Sequence, residues 1–290
     1  MLKELVVISG KGGTGKTSIV AALASLLPKK VMADCDVDAA DLHLVLQPQV
    51  LETEEFWSGK TASINQDKCI KCGKCRELCR YAAINNEYVI DKVACEGCGV
   101  CVHFCPVQAI DFTDNLCGHM FVSTTPYGYM VHAKLGIAEE NSGKLVTLVK
   151  SRARKIAQAE DCDTIIVDGP PGIGCPVIAS VSGASLILAV TEPTVSGIHD
   201  LQRVLELTTH FHIASAVCIN KMDINPEMAD LIVKKCKEIG IEVIGQLPYD
   251  EAVTKAQVQG ISIIDYDQNS PASKALHAMA AKIPSLLQTN

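Results

Sequence analysis

The sequence predicts an α/β protein with a mostly parallel sheet covered by helices on both faces, and a small inserted α+β module. Two observations carry that prediction. Apolar strand-like runs alternate with helical patterns along most of the chain, and a dense group of cysteines between residues 60 and 115 interrupts the alternation. Strands separated by helices in this order form right-handed crossovers onto a parallel sheet. The 290 residues, 48% hydrophobic and 20% charged, suffice for roughly two domains with a sizeable core.

Taken in order, the alternation places a strand at Leu5–Ser9 with a helix at Lys16–Leu27, then a strand at Thr164–Asp168 with a helix at Pro176–Ser182. It continues with Ser185–Val190 and Gly197–Phe211, Ser215–Ile219 and Pro226–Ile239, and Glu242–Leu247 and Asp250–Gln259. A second strand ends at Asp36. The stretches 42–59 and 117–143 give no clear period; the latter holds Tyr127-Gly128-Tyr129 and Glu139–Lys144, read as short strands and a linker. Pro271–Leu287 is weakly amphipathic. With only Lys274 and Lys282 as basic residues and no large aromatic, it is expected to dock on its own domain rather than on a membrane.

Composition removes several function classes. Lys plus Arg number 26 against 33 Asp plus Glu, a net charge of -7, and the basic residues form no long run. A phosphate-neutralising nucleic-acid surface is not expected. No segment approaches ~20 uninterrupted apolar residues, so no membrane span is expected. Residues 1–9 lack the features of a signal peptide, which makes a cytoplasmic setting the expectation. In a reducing compartment, 14 Cys point to metal rather than to disulfides.

The first strand runs into Gly10-Lys11-Gly12-Gly13-Thr14-Gly15-Lys16-Thr17-Ser18, which fits a P-loop. Glycines let backbone N–H groups close around phosphate oxygens and the helix N-terminus adds positive potential. Lys16 would neutralise β/γ charge, and the Thr17 hydroxyl would ligate Mg²⁺. Asp36 lies in an acid-rich segment with Asp34, Asp38 and Asp41 beside it as alternatives or as loop and cap residues, and Asp168 ends an apolar run before Gly169-Pro170-Pro171-Gly172. Asn220-Lys221-Met222-Asp223 has the form of a base-reading motif and leaves ATP and GTP open.

Cys69, Cys72, Cys75 and Cys79 recur 26 positions later as Cys95, Cys98, Cys101 and Cys105, followed by Pro106; Ala83-Ile84 recurs as Ala109-Ile110. Thiolates at this spacing wrap cubane clusters, the fourth Cys of each run serving the other cluster. Cys69, Cys72, Cys75 and Cys105 would hold one [4Fe–4S] cluster, and Cys79, Cys95, Cys98 and Cys101 the second. Structural zinc is the alternative, but such sites pair two close ligands with two distant ones rather than running eight thiols in a repeat. So short a segment needs its clusters to fold. Of the other six, Cys35, Cys117, Cys162, Cys175, Cys218 and Cys236, most are expected to be buried hydrophobes, with burial favoured for Cys175 as well.

Lys11, near the start of the loop, resembles the signature lysine of the deviant P-loop in the MinD/ParA-type ATPases and the nitrogenase iron protein. The Cys module resembles a bacterial two-cluster ferredoxin over its whole length, except that Arg80 stands where a proline often follows the fourth Cys. The resemblance implies a discontinuous ATPase domain (1–59 and 116–290) with an inserted ferredoxin-like domain (60–115). It implies a homodimer in which Lys11 reaches the partner's nucleotide, with Asp36 orienting the attacking water and Asp168 supporting Mg²⁺ through water. It also implies Asn220 contacting adenine, the segment Leu247-Pro248-Tyr249-Asp250 bordering the base, and ATP as the nucleotide. The implied activity is ATP hydrolysis coupled to electron transfer to a redox partner. Cys175 lies seven residues after Asp168, like a bridging-cluster cysteine of the nitrogenase iron protein, but no second such cysteine is evident. Carriers resembling the Mrp type use a C-terminal Cys-x-x-Cys pair, and none follows Cys105. A redox-sensing MinD/ParA-like switch is the remaining alternative.

Overall fold

The computed structural model describes residues 2–136 and 142–288. The expected Glu139–Lys144 linker therefore lies partly outside the described residues. The elements in chain order are β1 (Lys3–Ser9), α1 (Lys16–Leu26), β2 (Lys30–Asp34), α2 (Leu42–Leu46), β3 (Gln49–Ile64), α3 (Lys74–Leu78) and α4 (Val100–His103). They continue with β4 (Ile110–Thr125), β5 (Gly128–Leu135), α5 (Ser142–Ala159), β6 (Thr164–Pro171), α6 (Cys175–Val181), β7 (Leu186–Thr191) and α7 (Val195–His210). The chain ends with β8 (Ser215–Ile219), α8 (Pro226–Glu238), β9 (Glu242–Gln246), α9 (Glu251–Val258), α10 (Ile263–Tyr266), α11 (Pro271–Ala280) and α12 (Ile283–Gln288).

The sheet runs in the order β3-β4-β5-β2-β6-β1-β7-β8-β9. Pairings of β1 with β6 and β7, β2 with β5 and β6, β7 with β8, and β8 with β9 are all parallel. Side chains alternate between faces of a strand, and the core follows that rule. Leu5, Val7, Ile166, Leu186 and Leu188 join the cluster built with α1, α2 and the C-terminal helices, whereas Val6, Ile8, Ile165 and Ile187 are buried outside it. Helices α5, α6 and α7 pack on β2, β6 and β7. Both faces are thus covered, which is why these strands read as continuous apolar runs. Full burial of each Val, Leu or Ile contributes roughly 1.5–3 kcal/mol before entropy is counted.

The chain divides into two units. One holds residues 1–54, 120–134 and 142–290; the other holds Glu55–His119 and a short stretch from Leu135. The long strands β3 and β4 carry the chain between them, in regions where the sequence showed no period. Three further details differ from expectation. β2 ends at Asp34, so Asp36 sits in the following loop. The C-terminal segment forms two helices broken at Ala281-Lys282, and Leu276, Met279, Ile283 and Leu287 join the core. Cys175 is exposed, not buried, because it opens α6 at the surface directly after Gly174; Cys162 is half-buried, while Cys35, Cys117, Cys218 and Cys236 are buried as expected.

Beside the sheet, His132 of β5 stacks on His43 of α2 (centroids 5.8 Å apart) and on Phe121 of β4 (5.0 Å). Burial, and then the neighbouring His43, push the His132 imidazole down to about 4. The unfolded chain therefore binds this proton at higher pH than the native one. Stability is full above pH ~6.5 and falls as pH drops toward ~4, by up to about 3 kcal/mol for this group. Urea unfolding at pH 7 and pH 5 should show this loss, and His132→Phe should reduce the difference between the two pH values.

Candidate functional site

Ser9 ends β1 and Lys16 starts α1, so the loop between them opens at the C-terminal edge of the parallel sheet, where ligands gather in such folds. Gly13 and Gly15 adopt left-handed φ values of 78° and 86°. A Cβ at Gly15 would lie 2.3 Å from Asn220 Nδ2, so glycine is required there for space as well as for backbone. No side chain caps α1, which leaves its first N–H groups directed at the cleft. The Thr14 hydroxyl is buried without a hydrogen-bond partner.

The loop opens into a cleft of about 860 Å³ lined by Gly12–Ser18, Asp36, Asp38, Asp41, Asn220 and Lys221 and, farther along, by Pro248 and Tyr249. At its floor, Lys16 Nζ lies 2.7 Å from Asp168 Oδ1 and 3.5 Å from Asp36 Oδ2. Burial opposes the ammonium charge, but Asp168, then Asp36 and Asp34, outweigh it and hold Lys16 above the ordinary lysine range. Burial, with Asp168 adding its own charge, pushes Asp34 well up, and burial likewise raises Asp36. Three carboxyl groups gather around one ammonium, and a divalent cation at this place would favour the charged forms of Asp34 and Asp36 that burial disfavours. Thr17 and Asp168 would hold Mg²⁺ there. The uncapped helix end, the orphaned Thr14 hydroxyl and the glycine cradle fit a polyphosphate.

At two positions the structure adds what spacing did not indicate. Asp34 is fully buried, and its two oxygens accept the N–H groups of Asp36 (3.1 Å) and Leu42 (3.2 Å), pinning both ends of the Asp36 loop. Glu192, just after β7, pairs with Lys11 (3.1 Å) and Lys221 (3.2 Å), and Lys11 also donates to Ser196 Oγ. Burial works against the Glu192 charge, but the two lysines prevail and hold its carboxyl below the usual range. No spacing rule marks Glu192; only the fold brings it to Lys11. Gly10 packs against Asp200 rather than lining the cleft.

Asn220 Nδ2 donates to the Thr14 carbonyl (2.8 Å), tying the base-motif strand end to the loop. Asp223 Oδ1 accepts the Tyr249 N–H at 2.7 Å, so this carboxylate is engaged by backbone.

In the second unit the 26-residue repeat extends to the backbone. Left-handed φ recurs at Lys71 and Gly97, Gly73 and Gly99, and Ala82 and Gln108, and α3 recurs as α4. Ala83, Ile84, Ala109 and Ile110 are all buried. Cys69, Cys72, Cys75 and Cys105 line one small cavity; Cys79, Cys95, Cys98 and Cys101 line another. Among the described residues no three His, Cys, Asp or Glu side chains converge as ligands of one ion. Backbone N–H groups of Lys71 and Ala109 point at the sulfurs of Cys69 and Cys105.

Residues 5–263 match the family model described as the CobQ/CobB/MinD/ParA nucleotide binding domain. The chain belongs to this family. Among its curated relatives in sequence, an uncharacterized protein of Methanocaldococcus jannaschii is 30% identical over 286 residues, 98% of this chain and 97% of the relative. Pyruvate synthase subunit PorD of Methanothermobacter marburgensis is 41% identical over 54 residues, 19% of this chain and 67% of PorD. Among solved structures, the septum site-determining protein MinD complexed with Mg-ADP from Pyrococcus horikoshii aligns with a TM-score of 0.62. That alignment covers 99% of this chain and 97% of the other at 17% identity, a likeness of fold. The matched residues include the glycine-rich loop and Lys16. No described helix is long and apolar enough to cross a membrane.

Proposed function

We propose that this protein is an ATP-hydrolysing homodimer that couples nucleotide state to low-potential electron transfer toward a partner redox protein. The observation that carries the reading is the partition of eight cysteines into two cavity-lining quartets, each taking three thiols from one repeat and one from the other. It occurs in a chain whose family binds nucleotide. Two [4Fe–4S] clusters held there would supply one-electron chemistry. The P-loop N–H groups and Lys16 would bind and neutralise phosphates, Thr17 and Asp168 would hold Mg²⁺, and Asp36 would orient the attacking water. Engagement of Asp223 by Tyr249 weakens the guanine-reading option and supports ATP. Lys11, held by Glu192, would cross to the second protomer's nucleotide.

The test is an EPR-monitored titration of anaerobically purified protein without nucleotide, with Mg-ADP and with a non-hydrolysable ATP analogue. A shift of tens of millivolts is expected, 59 mV being tenfold for one electron. Identical potentials would leave ATP controlling docking or assembly and would favour the carrier or switch readings. Lys11→Ala should lower hydrolysis at least about tenfold and abolish ATP-dependent dimers in light scattering, while retaining ATP binding.

A further inference from the structure

The two repeats share a backbone but not a surface. In the first run a lysine precedes each of three successive cysteines: Lys68-Cys69, Lys71-Cys72 and Lys74-Cys75. The corresponding residues of the second run are Ala94, Gly97 and Val100, and residues 94–106 contain Glu96 but no Lys or Arg. Lys68, Lys71 and Lys74 are all exposed and have no ion-pair partner among the described residues. Lys71 and Lys74 line the cavity of Cys69, Cys72, Cys75 and Cys105. Exposed Ile70, 61% accessible, sits among them. Arg76 and Arg80 extend the basic run, with Glu77 as its one acid. At least one difference between the runs has a packing cause: a Cβ at Gly97 would lie 2.0 Å from the Lys60 carbonyl oxygen, so no lysine fits there.

We infer that the lysine-collared face over the Cys69/Cys72/Cys75/Cys105 cavity is the docking surface for an acidic one-electron redox protein. The inference rests on the two-cluster reading. A chain of net charge -7 repels an acidic partner at long range, so a local cluster of unpaired lysines decides where such a partner lands. Ile70 supplies an apolar centre within a basic rim, the arrangement of small transient interfaces. The second cavity, flanked by Tyr81, Glu96 and Val100, offers no such charge.

The test uses cluster-loaded, full-length protein. The first readout is the dissociation constant for an acidic flavodoxin probe, by calorimetry at low and high salt. The second is the rate at which reduced protein passes one electron to anionic Fe(III)-EDTA, oxidising a cluster and giving Fe(II)-EDTA. Expected results are flavodoxin binding that weakens with salt and an Fe(III)-EDTA rate that falls with salt despite the negative net charge. K68Q/K71Q/K74Q should weaken binding about tenfold and remove or reverse the salt dependence. Changing Lys234, Lys235 and Lys237 of α8 to Gln alters net charge equally and should have little effect. Equal behaviour of the two triple variants overturns the docking surface. Failure of the parent protein to bind iron overturns the cluster reading instead. Iron content and EPR check loading of each variant; if the triple variant loads poorly, the single Lys→Gln variants carry the comparison, and unchanged binding and rates in all three reject the proposal.

Discussion

Lys16→Ala should reduce ATP hydrolysis by at least about a hundredfold, because it removes the ammonium placed for the phosphates. The same change strips from Asp34, Asp36 and Asp168 their only close cation among the described residues. Breaking a buried ion pair in this way costs on the order of 3–5 kcal/mol, bounded by the ability of carboxylates to take up protons. Asp34 and Asp36 already have raised affinity for protons, so the native state holds them more readily than the unfolded chain. The penalty for their charge is absent below their unfolded values near 4 and grows as pH rises. The variant's deficit in thermal midpoint should therefore be larger at pH 8 than at pH 5. Phosphate-release assays and calorimetry check the two parts. Hydrolysis retained within about tenfold, or a deficit that grows on acidification, contradicts this account of Lys16.

Cys105→Ser should empty the cavity formed with Cys69, Cys72 and Cys75, although Cys105 belongs to the other run. Iron should fall from about eight to about four per chain. The decisive variant is the double C69S/C105S. With crossed ligation both changes strike one cluster, and about four irons remain. With each run serving its own cluster, both would be struck and almost none would remain. Cys79→Ser combined with Cys105→Ser should remove both clusters and, with them, the folded state of this small unit, visible as lost far-UV dichroism.

Much of this molecule was legible from its sequence because its central strands are buried on both faces. Leu5–Ser9 and Ser215–Ile219 stand out as apolar runs between turn signals. β3 and β4 did not stand out. Gln49 through Glu55 of β3 are all exposed, and Glu52, Glu54 and Glu55 give that stretch the look of a solvated loop. A stretch with no buried side chain leaves no period to read, and the buried Phe56, Ser58 and Ala62 come only later in β3. The site divides in the same way. Lys16, Thr17 and Asp168 lie in short contiguous segments that a reading of the sequence singles out. Asp34 looked like one of several loop acids until its two oxygens were seen to accept both ends of the Asp36 segment. Cys175 was misjudged because free cysteines are usually buried, a tendency that a helix start at the surface overrides.

Glu192 gives the proposed dimer a threshold. Its carboxylate holds Lys11 at home, so a second protomer's nucleotide must outbid an internal counter-ion before the lysine crosses. The observed affinity between protomers would then be the affinity of the contact surface reduced by the work of releasing that lysine. Lys221 shares the same carboxylate, so departure of Lys11 leaves Glu192 to a residue of the base-side motif. In the proposed site, phosphate side and base side would then draw on a single negative charge, and occupancy of one would be felt at the other without any movement of the sheet.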